Sequence, residues 1–137
     1  MRYSLCNHWE FTEQWSDAFC RGEPVSCRPV RLPHTCRELP LHYADPSDYE
    51  MVCGYRRTLT VPDAPRVFLL FDGAAHQAEI YLNGQLAGQH QGGYTGFTIE
   101  ITDLVHRGTE NLLAVRLDTR EDPSLPPFGF VIDYLTY

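Results

Sequence analysis

Six histidines, five cysteines and eighteen carboxylates are the chain's reactive inventory, and their spacing assembles very little of it. The histidines (His8, His34, His42, His76, His90, His106) show no i, i+4 pairing of the kind that holds zinc on a helix. No two of Cys6, Cys20, Cys27, Cys36 and Cys53 form a C-x-x-C pair, so no metal site is expected. Their odd number and sparse spacing instead suggest buried free thiols in a reducing compartment. His34, in Leu-Pro-His-Thr, would need a nucleophile to serve as a base, and the chain has no Gly-x-Ser-x-Gly elbow. A structural role is the expectation there. No Gly-rich loop follows a strand and opens a helix, so neither a nucleotide nor any other cofactor is expected. Trp9 and Trp15 offer aromatic faces on which a sugar ring could stack, although core packing is the commoner use of such a residue. Glu79 reads as the solvent-facing member of an alternating strand.

The elements that would position these groups are short strands. Pro24, Pro29, Pro33, Pro40 and Pro46 punctuate the first fifty residues and leave room only for brief strands near Trp9–Phe11 and Arg28–Leu32. Tyr55 to Val61 alternates and ends at Pro62-Asp63-Ala64-Pro65. Arg66 to Phe71 is a short apolar run suited to a central strand covered on both faces. Ala78, Ile80 and Leu82 alternate with Glu79 and Tyr81, and Asn83-Gly84 is the favoured pair for a two-residue type I′ hairpin. Gln85 to Gln91 is the return strand. Gly92-Gly93-Tyr94-Thr95-Gly96 turns a corner, after which Phe97, Ile99 and Ile101 share one face. Thr102 to Gly108 reads as one helical turn with a Thr cap and a Gly stop. Leu113, Val115 and Leu117 supply a last inward face.

Many short strands with turns every eight to twelve residues specify an all-β fold, an antiparallel jelly-roll β-sandwich. The expected organisation is a single domain over 1–137. It divides into an irregular Pro-rich entry over 1–50, a sandwich core over 51–118 and a loop-like tail over 119–137. Hydrophobic content of 43% is ordinary for a globular protein. No apolar run is long enough to span a bilayer as a helix, and Met1 to Trp9 lacks a signal-peptide core, so a cytoplasmic location is expected. A net charge of −7, with every one of the eleven basic residues an arginine, argues against nucleic acid as a partner.

Taken in order, the motifs resemble the N-terminal sugar-binding domain of family 2 glycoside hydrolases, the β-galactosidase, β-glucuronidase and β-mannosidase type. The stretches that carry the resemblance begin with Leu5 to Phe11, including Trp9-x-Phe11, followed by Val30-Arg31-Leu32-Pro33-His34-Thr35 and Gly54-Tyr55-Arg56-Arg57. Phe71-Asp72-Gly73, Tyr81-Leu82-Asn83-Gly84-x-x-x-Gly88, Gly92-Gly93-Tyr94-x-x-Phe97 and Gly108-x-x-Asn111-x-Leu113-Ala114-Val115 complete the set. Each is weak alone; the ordered series covers nearly the whole chain. The resemblance implies a galactose-binding-domain-like sandwich whose last strand, opening with Gly-Ile-x-Arg, lies beyond Tyr137. A sheet edge lacking that partner would leave residues 119–137 poorly packed or docked on another molecule.

The resemblance also implies a parent enzyme that is a retaining glycosidase with a pair of catalytic glutamates. Both would sit on a downstream barrel of about 250 residues, reached through an immunoglobulin-like domain. The family's Asn-Glu acid/base dipeptide is nowhere in this chain, so no catalytic residue is expected in it. Two acids are implied as reaching the substrate pocket. These are Asp133, which precedes the Gly-Ile-x-Arg element, and Asp45, which with Asp48 lies in the 44–49 loop. A carboxylate there would accept two sugar hydroxyls. Three functions are compatible with such a sandwich: an accessory domain that buttresses the barrel, an autonomous carbohydrate-binding module, and an interface domain of a homo-oligomeric parent. The absence of a calcium-type acidic loop favours the first.

Overall fold

The computed structural model of the chain describes residues 2–32, 52–74, 77–91, 96–118 and 130–136. Within them the strands are β1 (Arg2–Ser4), β2 (Trp9–Thr12), β3 (Arg28–Val30), β4 (Val52–Thr60) and β5 (Val67–Ala74). They continue as β6 (Gln77–Leu82), β7 (Gln85–Gln91), β8 (Phe97–Glu100), β9 (Glu110–Asp118) and β10 (Phe130–Thr136), with one short helix, α1 (Asp17–Cys20), between β2 and β3. The described strands pair antiparallel into a six-stranded sheet, β3-β2-β4-β9-β6-β7, and a four-stranded sheet, β1-β10-β5-β8. This is the jelly-roll sandwich expected from the strand pattern.

Period-two alternation puts one row of each strand into the space between the sheets. Across the larger sheet Phe11, Tyr55, Val115 and Ile80 lie side by side in register and all are buried. Gly88 ends that row because β8 crosses there: a Cβ would come within 2.8 Å of Ile99 Cδ1. From the other sheet Val67, Leu69 and Phe71 complete the core. Their strand, β5, is interior, but Phe68 and Leu70 are only half-buried, so the expectation of cover on both faces holds for one face.

Asn83 and Gly84 have φ of 53° and 82°, the paired positive values that a type I′ turn needs. Gly108 also has positive φ (78°), yet the expected Thr102 cap is absent. The Thr102 hydroxyl accepts from Val67 N–H at 3.0 Å and donates to Glu100, while the turn closes through Leu104 and Val105 N–H to the Ile101 carbonyl.

The expected loop-like tail is corrected. Residues 130–136 form β10, paired on one side with β5 and on the other with β1, while 119–129 lie outside the described residues. The partners of β10 are β5, in the middle of the chain, and the three-residue segment Arg2–Ser4, about 130 positions away in sequence, and no local pattern announces either pairing. Nor is the entry irregular throughout, since β1, β2, α1 and β3 all lie within it.

Candidate functional site

Strand registers define one end of the sandwich. Val52 and Gln77 both face Asp118, Gln77 faces Gln91, Phe71 faces Phe97, and Phe130 faces Ala74. The chain therefore leaves or enters the sheets at this one end on either side of 75–76, 92–95 and 119–129, and on entering β4. The motif residues Asp72 and Gly73 sit on β5 next to it. The Asp133 backbone is within β10, opposite Leu70 and Ser4, rather than on a loop. Asp45, Asp48, His34, Gly92, Gly93 and Tyr94 lie outside the described residues, as do the side chains of Asp72 and Asp133. Phe97 is described: its ring stacks on Phe71 at 4.5 Å and on His90 at 4.1 Å, which fixes the start of β8 at this end.

Other motif residues are structural. Trp9 is fully buried against Tyr55, with its Nε1–H given to the Leu5 carbonyl, so it offers no stacking face. Asn111, 1% exposed, is a hub: its Oδ1 accepts from His106 N–H (2.7 Å) and Asn83 Nδ2 (2.9 Å). Its own Nδ2 donates to the carbonyls of His106 (2.8 Å) and Thr109 (3.1 Å). Asn83 in turn exchanges two bonds with the Leu112 backbone, so the β6–β7 hairpin and the β8–β9 turn are held as one unit.

Sequence reasoning missed a second constellation on the outer face of the larger sheet. Residues 13–27, with α1, fold over β4 and β6. Ser16 caps α1 by accepting from Phe19 N–H at 3.1 Å. The Trp15 ring lands on Gly54, where a Cβ would sit 2.6 Å from Trp15 Cε3, and stacks on Tyr81 at 5.6 Å. Arg56, 5% exposed, anchors the segment from below. Its Nη1 donates to the carbonyls of Phe19 (3.0 Å) and Glu23 (2.9 Å), and its guanidinium lies over the Phe19 ring at 4.4 Å. The signal for this lid was present in Trp15, Gly54 and Arg56, but their contact spans some forty residues and has no local periodicity.

Charge and burial set the protonation states here. Tyr81 is pushed up to about 12 by burial and then by its 2.7 Å hydrogen bond to Glu79. The Cys27 thiol donates to Glu10 Oε2 at 2.9 Å; that bond holds Glu10 below the usual carboxylate range, with Arg56 adding to it, and raises Cys27. Because Glu10 is depressed, its contribution to stability is complete above its unfolded pKa and is lost as pH falls through the folded one. For Cys27, raised, the contribution is complete below its unfolded pKa and disappears as pH rises through the folded one. A first test follows. At neutral pH Cys27, though half-exposed, should alkylate more slowly than a free thiol, and Glu10→Gln should speed it, read by mass spectrometry after iodoacetamide. Cys6 is likewise half-exposed, and only Cys20 and Cys53 among the four described thiols match the expected burial. No group of three or more metal-ligating side chains occurs among the described residues.

Two antiparallel sheets, with Asp72, Gly73 and Phe97 at one end and the Asn83–Asn111 pair holding the β6–β7 hairpin to the β8–β9 turn, define the class of domain as a β-sandwich. Comparison with known proteins supplies the family. The sequence model of the glycosyl hydrolases family 2 sugar binding domain matches residues 28–125, and the chain belongs to that family. It is 38% identical over 112 residues to a β-galactosidase of Thermoanaerobacter pseudethanolicus, covering 79% of this chain and 15% of that one. It is 36% identical over 136 residues to a β-galactosidase of Thermoanaerobacterium thermosulfurigenes, covering 96% and 19%. Among solved structures, Bacteroides uniformis β-glucuronidase 2, covalently bound to cyclophellitol-6-carboxylate aziridine, superposes with a TM-score of 0.81 at 26% identity, over 98% of this chain and 17% of that one. The chain thus spans less than a fifth of the length of these relatives, and the match to the family's sugar binding domain covers residues 28–125 of it.

Proposed function

We propose that this domain is the non-catalytic N-terminal part of a retaining glycoside hydrolase acting on O-glycosidic bonds, most closely of the β-galactosidase type. In this reading it buttresses the catalytic barrel, through an immunoglobulin-like domain, in a homo-oligomeric cytoplasmic enzyme. The carrying observation is the pairing of near-complete coverage of this chain with coverage of only 15–19% of its β-galactosidase relatives. The bulk of a relative, and with it room for a barrel, has no counterpart here. The end of the sandwich that gathers Asp72, Gly73 and the strand ends beside 92–95 and 119–129 is the one we assign to the barrel. In this reading Asp45 and Asp133 each offer carboxylate oxygens to sugar hydroxyls, fixing the ring while downstream glutamates do the chemistry.

Two assays test this. The 137-residue chain should show no turnover of aryl β-galactosides or β-glucuronides, whereas the polypeptide that carries it together with a barrel should. In that enzyme Asp133→Asn should lower kcat/KM by about tenfold or more, the cost of leaving a charge-assisted hydrogen bond unmade. Turnover by the chain alone, or an unchanged kcat/KM in the variant, would refute the corresponding part.

A further inference from the structure

We propose that the pocket between α1 and the tip of the β6–β7 hairpin is a binding site for a single pyranose ring. The pocket measures 260 Å³ and is lined by Trp15, Asp17, Cys20, Arg21, Tyr81 and Gly84. Clefts for drug-sized ligands run to about 300–1,000 Å³, so this one suits one ring. A pyranose presents apolar C–H groups on its faces and a rim of hydroxyls that both donate and accept. The pocket holds the matching parts. Trp15 and Tyr81 are both half-exposed and form an aromatic wall, and at Gly84 a Cβ would meet nothing within 4 Å, so the mouth is open.

Polar side chains line the same pocket and keep hydrogen-bonding capacity to spare. Among the described residues neither the Trp15 Nε1–H nor the Asp17 carboxylate has a hydrogen-bonding partner. Arg21 spends Nη2 on Glu23, at 3.0 Å, and keeps other donors of its guanidinium. The Tyr81 hydroxyl is committed to Glu79, so that residue contributes its ring alone. Donor, acceptor and aromatic surface are thus set on one rigid lid, because Gly54 and Arg56 hold Trp15 and α1 down. Trp9 is the internal contrast: its indole N–H is satisfied and its ring is inaccessible. The choice of sugar as ligand class rests on the function proposed above; the pocket itself does not.

The two tryptophans make the test direct. Trp9 is wholly buried and Trp15 half-exposed, so a ligand-dependent change in emission reports on Trp15. Titrating the 137-residue chain with methyl β-galactoside and methyl β-glucuronide should give a saturable change with a Kd of about 1 mM. Asp17→Asn and Arg21→Ala, both at exposed positions, should each weaken it about tenfold with an unchanged melting temperature. Trp15→Phe should abolish the emission change while leaving Trp9 fluorescence in place. No saturable response to either sugar, or a response that survives Trp15→Phe, or one indifferent to both polar variants, overturns the site. If the enzyme carrying this chain hydrolyses glycosides while the chain binds neither sugar, only the pocket assignment fails. If that enzyme hydrolyses nothing, the functional reading fails instead.

Discussion

Asn111→Ala should lower the melting temperature of the chain by about 10 °C, measured by circular dichroism or calorimetry at neutral pH. The side chain is buried and serves four close partners at once, namely the His106 N–H, the Asn83 amide and the carbonyls of His106 and Thr109. Removing it strands several of these groups away from water, at about 1–3 kcal/mol for each buried group left unpaired. Some will find water after the turn relaxes, so a total of about 3 kcal/mol is expected, and for a domain of this size that corresponds to about 10 °C. Asn111→Asp is the discriminating companion. It keeps the acceptor for His106 and Asn83 but replaces the Nδ2 donor with an acceptor facing two carbonyls. It should therefore be no milder than alanine. A loss of less than about 1 kcal/mol in both variants would show that the hairpin and the turn do not depend on this hub.

The Asn83–Asn111 pair also marks where the sequence could be read and where it could not. Asn83-Gly84 announces its turn locally, through the positive φ that both positions require, and the structure has that turn. Asn111 carries no such local meaning, because its role depends on a bond to a residue 28 positions earlier. The same division runs through the fold. β6 and the inward faces of β8 and β9 follow from alternation between apolar and polar residues, and β7 follows from the Asn83-Gly84 turn that sends the chain back. β10 carries no such local signal, because its neighbours β1 and β5 lie at the far end and in the middle of the chain. At the candidate site, types were legible and positions were not. Trp15 was visible as one of two tryptophans able to meet a sugar. That it stands on a glycine forty residues away, beside an unpartnered Asp17, depends on a lid whose contacts are all non-local.

Arg56→Ala should detach that lid. Arg56 is the only described link that joins the Phe19 and Glu23 carbonyls to the sheet, and its guanidinium also carries the stacking contact to Phe19 and a 3.5 Å approach to Glu10. Truncation takes one of two donors from the buried Phe19 carbonyl, which keeps the Gly22 N–H, removes the side-chain donor from the Glu23 carbonyl and opens a void under the ring, a loss of about 2 kcal/mol in total. Arg56→Lys should restore little of it. One ammonium on a flexible stem cannot reach two carbonyls in a fixed fork while lying flat on an aromatic face. Hydrogen exchange separates a local effect from a global one. The N–H groups of Arg21, Gly22 and Glu23, which close the turns after α1, should lose protection far more than the β4–β9 ladder does. Glu10 should rise toward the ordinary carboxylate range as well, though not reach it, because the Cys27 bond is the larger cause of its depression. With the lid loose, Trp15 leaves Gly54, and the sugar-dependent emission change should vanish along with the protection. Uniform loss of protection across both sheets would instead make Arg56 a general core residue with no special tie to the pocket.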